Sequence, residues 1–174
     1  MEQMTENQPG RPLWAPWRVE FIRSEKSGAC FLCGNETARP GIPEEDLIVR
    51  RGRRCFMILN RYPYNSGHLL VAPYRHVGDI ALLGQEELHE LMDLAVAARV
   101  VLDKVMKPAA FNIGFNLGAA AGAGVADHLH MHIVPRWNGD TNFMPVLADT
   151  RCVPEALTDT ARLIRTAFDG VDAR

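Results

Sequence analysis

The chain has 174 residues, 47% of them hydrophobic and 23% charged, with a formal net charge of -2. That is enough apolar material for one globular domain with its own core, and the near-neutral balance gives no footprint for gripping a long polyanion, so nucleic acid is excluded as a partner while small anionic ligands stay open. No window approaches roughly 18 consecutive apolar residues, and the polar start "MEQMTENQPG" has neither the basic cluster nor the apolar run of a secretory signal; no membrane partner is expected, and the cytoplasm is the expected location.

In chain order, residues 1–12 read as a flexible tail and 13–174 as one domain. "LWAPWRVEFI" places two tryptophans in a segment expected to pack on the body, and "GNETARPGIPEED" carries too many turn-formers for regular structure. "DLIVRR", "CFMILN" and "HLLVAP" are short runs rich in Ile, Val, Leu and Phe between Gly, Pro and Asn clusters, which reads as strands with connections short enough for antiparallel neighbours. From Gln85 to Met106, Leu88, Leu91, Met92, Ala95, Val96 and Val100 recur at three- and four-residue spacing, the pattern of an amphipathic helix, which Pro108 ends. Two strands follow, "FNIGFNLG" and a histidine-rich segment, joined by "AAAGAGVAD"; a last helix is expected from near Pro154 to about Phe168. Grouped strands broken by one long helix give an α+β domain on an antiparallel sheet.

The densest chemistry lies in "DHLHMHIVPRW". Side chains alternate along a strand, so His128, His130 and His132 are expected to share one face toward a cleft or solvent, with Leu129, Met131 and Ile133 on the core face. Three alternating imidazoles in a chain with only three other histidines point to a metal site, a nucleophile, or both.

Cys30 and Cys33 have the C-x-x-C spacing of zinc sites and of thiol oxidoreductases. A thioredoxin-like pair sits between a strand and a helix, whereas here a turn-rich loop follows, which favours zinc. Two thiolates make half of a tetrahedral site, and His76 with one histidine of the triple are the natural suppliers of the rest. His89, on a charged helix face, reads as a surface histidine, and Cys55 and Cys152 as packing residues. The Gly/Ala-rich loop can turn successive backbone N–H groups into a phosphate-binding nest, and Asn116 before it and the histidines after it add a carboxamide and imidazoles, a set suited to phosphoryl transfer by a neutral imidazole.

The alternation His128-Leu-His130-Met-His132-Ile-Val resembles the signature of the histidine triad family, three histidines each followed by hydrophobic residues. "FMILNRYPYNSGHLLVAPYRHV" is similar to the family's second block, and "LWAPWR", "NLGAAAGAGVADHLH" and "PRWNGDTNFMPV" to its bacterial diadenosine tetraphosphate hydrolase or phosphorylase branch. The resemblance implies a homodimeric nucleotide-binding α+β domain: an antiparallel sheet, a long central helix and a C-terminal helix. It implies that His130 attacks the α-phosphorus of a dinucleoside polyphosphate to form a nucleotidyl-histidine, that His132 contacts the phosphate and assists the leaving group, and that His68 is the additional histidine near the site. Asn60 would bind the ribose, and Asn116 with the amides of Ala123, Gly124 and Val125 the phosphate oxygens. A structural zinc would take Cys30, Cys33, His76 and His128. Gly124 stands where some members carry a glutamine, so a backbone amide takes that place, and water and phosphate both stay open as acceptor.

Adenosine phosphoramidates and adenylyl sulfate are alternative substrates within the same chemistry. A metallohydrolase with all three histidines on one catalytic ion is disfavoured because the outer two lie about 13 Å apart along an extended strand. A non-catalytic nucleotide-binding module is the remaining reading.

Overall fold

The computed structural model describes residues 30–33, 47–140 and 155–172. The expected tail, the tryptophan segment, the turn-rich loop 34–46 and Cys152 lie outside the described residues. Five strands form one antiparallel sheet: β1 (Ile48–Arg51), β2 (Cys55–Leu59), β3 (Leu69–Pro73), β4 (Ala110–Phe115) and β5 (Met131–Arg136). Their order across the sheet is β1-β2-β3-β5-β4. Helix α1 (Gln85–Met106) runs between β3 and β4, and α2 (Leu157–Asp172) closes the described chain. Among the described residues, no helix is long and apolar enough to cross a membrane.

The unbroken apolar runs β2 and β3 are buried along their whole length, paired in register from Cys55↔Pro73 to Leu59↔Leu69. α1 packs on β2, β3 and β5, and α2 packs on α1 and β1. On β4 and β5 the two faces differ. Phe111 and Phe115 pack against the core and Met131 and Ile133 are within it, while the alternating set includes Gly114 opposite His132 and Asn112 opposite Val134. The first face carries the core and the second carries the site.

Two sequence expectations are corrected here. The helix occupies the expected span, but Met92, Val96 and Val100 are exposed, and the core is reached through Leu91, Leu94, Ala95, Ala98, Val101 and Leu102. Apolar residues cover well over half the circumference of α1, so spacing alone does not tell which part the sheet covers. The histidine strand is also shorter than expected. It begins at Met131, because the Leu129 N–H leaves the ladder for the Val77 carbonyl at 2.6 Å, so His132 alone of the three imidazoles sits on β5.

α1 also anchors two connections with carboxylates. Glu90 accepts from the N–H groups of Arg53, Arg54 and Cys55 at 2.6, 2.6 and 3.1 Å, which holds the β1–β2 turn. Glu87 takes a two-point ion pair from Arg75 at 3.0 and 2.8 Å and the Gly84 N–H at 2.8 Å, tying the segment after β3 to the helix start. Those contacts, Arg75 first and Gly84 second, hold the Glu87 carboxyl down at about 2. A depressed carboxylate stabilises the fold above its ordinary range and stops doing so as it protonates. Stability that Glu87 contributes above pH 4.5 is therefore expected to fade as pH falls toward 2, and Glu87→Gln is expected to flatten that part of the acid profile in urea titrations; a variant with the wild-type acid slope would remove the ion pair from the account.

Candidate active site and metal centre

Cys30 and Cys33 are presented by a single 3₁₀ turn, Phe31–Cys33, closed by the Cys33 N–H on the Cys30 carbonyl at 3.0 Å. Their sulfurs meet two imidazoles: Cys33 Sγ lies 3.1 Å from His76 Nδ1 and 3.4 Å from His128 Nδ1, and Cys30 Sγ lies 3.3 Å from His128 Nδ1. All four donor atoms fall within 4.8 Å of one another. Tetrahedral zinc, with bonds of about 2.0–2.3 Å, needs donors roughly 3.3–3.8 Å apart, so the cluster could hold such an ion with little movement.

The chemistry of the donors agrees with the geometry. His128 is buried and its Nε2–H donates to the Pro73 carbonyl at 2.9 Å, which leaves the Nδ1 lone pair facing the sulfurs. Burial also lowers its pKa, keeping the ring in the neutral form a metal requires. Burial, then the neighbouring Cys30, pushes the Cys33 thiol up to about 11. Two adjacent thiolates are thus disfavoured unless a cation compensates them. With two sulfurs and two nitrogens, protein donors would fill the coordination of a bound zinc, the signature of a structural site.

His130 is 6% exposed, and its Nδ1–H donates to the His128 carbonyl at 2.8 Å. A carbonyl can only accept, so the neutral ring carries its proton on Nδ1 and its lone pair on Nε2. Burial lowers its pKa, partly offset by that hydrogen bond, which favours the neutral form. The result is a desolvated imidazole with a fixed tautomer and a nucleophilic Nε2.

His132 is set by a second chain of bonds. The Tyr64 N–H donates to His68 Nδ1 at 3.0 Å, and the Asn60 amide nitrogen lies 3.2 Å from the same atom. With neutral rings, His68 then donates through Nε2–H to His132 Nδ1, 3.0 Å away, which leaves the His132 proton on Nε2. That Nε2 faces the Asn116 amide nitrogen at 3.5 Å, so two donors converge where an anionic oxygen would sit. Asn60 is itself held by the Tyr62 N–H on its Oδ1 at 3.0 Å. Tyr64 escaped sequence reasoning because its contribution is a backbone N–H and a ring lying 4.7 Å from His68 and 5.8 Å from His132.

The loop before the triad winds through a 3₁₀ turn, Ala119–Ala121, between Gly118 and Gly122 at φ 79° and 83°, conformations that favour glycine. The Ala123 N–H turns back to the Gly118 carbonyl at 3.4 Å, while those of Gly124 and Val125 take no part in the turn's bonds. The loop is pressed against the segment after His76: a Cβ on Gly78 would lie 2.6 Å from the Ala126 carbonyl oxygen. The structure thus gathers His68, His130, His132, Asn60 and Asn116 in one region, with Cys30, Cys33, His76 and His128 beside it. The pair Arg136 and Asp140 also escaped sequence reasoning; it joins the end of β5 to the turn that follows through bonds of 2.6 and 2.9 Å, with Asn65 donating to Asp140 at 2.9 Å.

Residues 44–139 match the HIT domain family. The chain belongs to the HIT domain family. It is 40% identical over 165 residues to a Mycobacterium tuberculosis protein named AP-4-A phosphorylase, an alignment spanning 90% of this chain and 83% of that relative. A Zn-bound histidine triad family protein from Mycobacterium smegmatis superposes with a TM-score of 0.65 at 25% identity, over 83% of this chain and 96% of that one. The NitFhit protein of Caenorhabditis elegans superposes at 0.60 with 28% identity, over 75% of this chain and 29% of its own.

Purified protein is expected to carry about one zinc per chain by atomic emission, and Cys30→Ser to lose it together with several degrees of thermal midpoint. Full zinc occupancy in Cys30→Ser, or an unchanged midpoint, would remove the thiol from the metal site.

Proposed function

We propose that this HIT-family chain cleaves dinucleoside polyphosphates of the diadenosine tetraphosphate type at the α-phosphate, through an adenylyl-His130 intermediate, and that inorganic phosphate accepts the adenylyl group. The observation that carries the mechanism is His130 itself, buried, neutral and tied through Nδ1–H to the His128 carbonyl. The choice of substrate and acceptor is supported by the likeness to AP-4-A phosphorylase.

In the first step Nε2 of His130 bonds to the α-phosphorus and the bond to the bridging oxygen breaks, releasing ATP. In the second, a phosphate oxygen bonds to the same phosphorus, the P–N bond breaks, and ADP leaves. His132 Nε2–H steadies the phosphoryl oxygens and protects the departing bridge oxygen from carrying full charge, with Asn116 beside it. His68 keeps His132 in that donating tautomer. Asn60 meets the ribose with the capacity its bond to His68 leaves over, and the Gly124 and Val125 amides, with that of Ala123 once released from Gly118, hold the equatorial oxygens. Cys30, Cys33, His76 and His128 would hold a zinc ion, which would supply a structural cross-link.

The working form is a homodimer, placed in the cytoplasm. β4 is the edge of the sheet with Ile113 exposed on it, and Met92, Val96 and Val100 form an exposed apolar stripe on α1; unpaired edges and apolar stripes of this kind are ordinarily covered by a partner. A second copy of the chain is the occupant we assign. Val96→Glu is expected to shift the sedimentation mass from dimer toward monomer, and a monomeric wild-type chain at micromolar concentration would end this part of the reading.

His130→Ala is expected to lower turnover of diadenosine tetraphosphate by about 10⁴-fold while leaving the thermal midpoint near that of wild type; a loss under about tenfold would falsify the assignment of the nucleophile. Product analysis by anion-exchange chromatography then separates the acceptors. ADP plus ATP formed only with phosphate is the expected result, whereas AMP plus ATP without phosphate would make water the acceptor.

A further inference from the structure

Beside His132 the sheet opens into a cleft of about 420 Å³, lined on β4 by Asn112 and Gly114 and on β5 by His132, Val134 and Arg136. His132, Val134 and Arg136 alternate along one face of β5, so the cleft runs about 13 Å from the phosphate-directed imidazole to the guanidinium. It is walled on the β3 side by Tyr64 and Asn65, from the connection that also carries Asn60 and His68, and extends from His132 along β4. Its floor is open at Gly114, where an added Cβ would meet nothing within 4 Å. The two ends differ in chemistry. At the His132 end, Nε2–H and the Asn116 amide suit phosphate oxygens. At the far end, Arg136 is paired at two points with Asp140 and donates to Asn112 Oδ1 at 2.8 Å, so the group there has hydrogen-bonding edges and no net charge. A neutral polar partner fits it better than another phosphate.

Resting on the adenylyl-transfer reading above, we propose that this cleft is the leaving-group subsite: the polyphosphate of the departing nucleotide passes Asn116 and His132, and its nucleoside seats against Asn112 and the Arg136–Asp140 pair. The second nucleoside of the substrate is then recognised by the enzyme instead of trailing into solvent. It follows that specificity between dinucleoside polyphosphates resides in Asn112 and Gly114, away from the nucleophile.

The test compares wild type with Gly114→Leu, which fills the floor, and Asn112→Leu, an exposed position that loses its amide. Steady-state cleavage of diadenosine tetraphosphate is measured in phosphate, with ATP, the departing product, and AMP, an analogue of the adenylyl half, as inhibitors and thermal midpoints to report folding. KM for the dinucleotide and the inhibition constant for ATP are each expected to rise at least tenfold in one or both folded variants, with the AMP constant moving less than threefold. KM within threefold of wild type in both variants, a fall in kcat alone, or an equal rise for AMP and ATP would overturn the subsite. Wild type that cleaves no dinucleotide would instead defeat the adenylyl-transfer reading, a separate outcome visible before any variant is made.

Discussion

His128 is the residue on which both halves of the site depend. Its Nδ1 faces the two sulfurs, its Nε2–H is fixed on the Pro73 carbonyl, and its own carbonyl takes the Nδ1–H of His130. One residue therefore offers a donor atom to the cysteine–histidine cluster through its side chain and orients the neighbouring imidazole through its backbone. Anything that loosens the cysteine–histidine cluster shifts that carbonyl, and with it the tautomer and direction of His130. A metal held by the cluster would act without touching His130, by fixing the peptide group that orients that ring.

The second imidazole is disciplined from the opposite direction. A backbone N–H at Tyr64 settles which nitrogen of His68 accepts, and His68 in turn settles which nitrogen of His132 does. Each ring, when neutral, is thereby held in one tautomer, His130 with a lone pair and His132 with a proton on Nε2, although their rings lie only 4.9 Å apart. Opposite roles for like groups at that distance require separate hydrogen-bond chains, and the fold supplies them from two different connections, the segment before β5 that carries His128 and the one between β2 and β3 that carries Tyr64.

α1 contributes at a distance. Glu87 and Glu90 are both on its first turns, one gripping the segment that carries His76 through Arg75, the other gripping the β1–β2 turn. The helix thus joins the metal side of the site to the far edge of the sheet, while its exposed stripe of Met92, Val96 and Val100 faces away from the core. The same element packs, braces and presents an apolar surface because its apolar residues extend beyond the arc that the sheet can cover.

Much of this was legible in the order of residues. The apolar runs of β2 and β3, the length of α1 and its stop before Pro108 follow from local spacing, and the C-x-x-C pair with alternating histidines named the donor types before any contact was known. Side-chain chemistry and periodicity are local, so they survive in one dimension. What only the tertiary structure decided depends on which strand lies beside which. The Val77 carbonyl removes Leu129 from the ladder and cuts the histidine strand short, the sheet selects one arc of α1 and leaves another bare, and the turn at Tyr64 reaches His68 through backbone atoms that no residue type announces. The cleft between Asn112 and Arg136 belongs to the same class, because β4 and β5 become neighbours only when the sheet closes. Residue identity fixed the reagents; the order of strands fixed which of them meet.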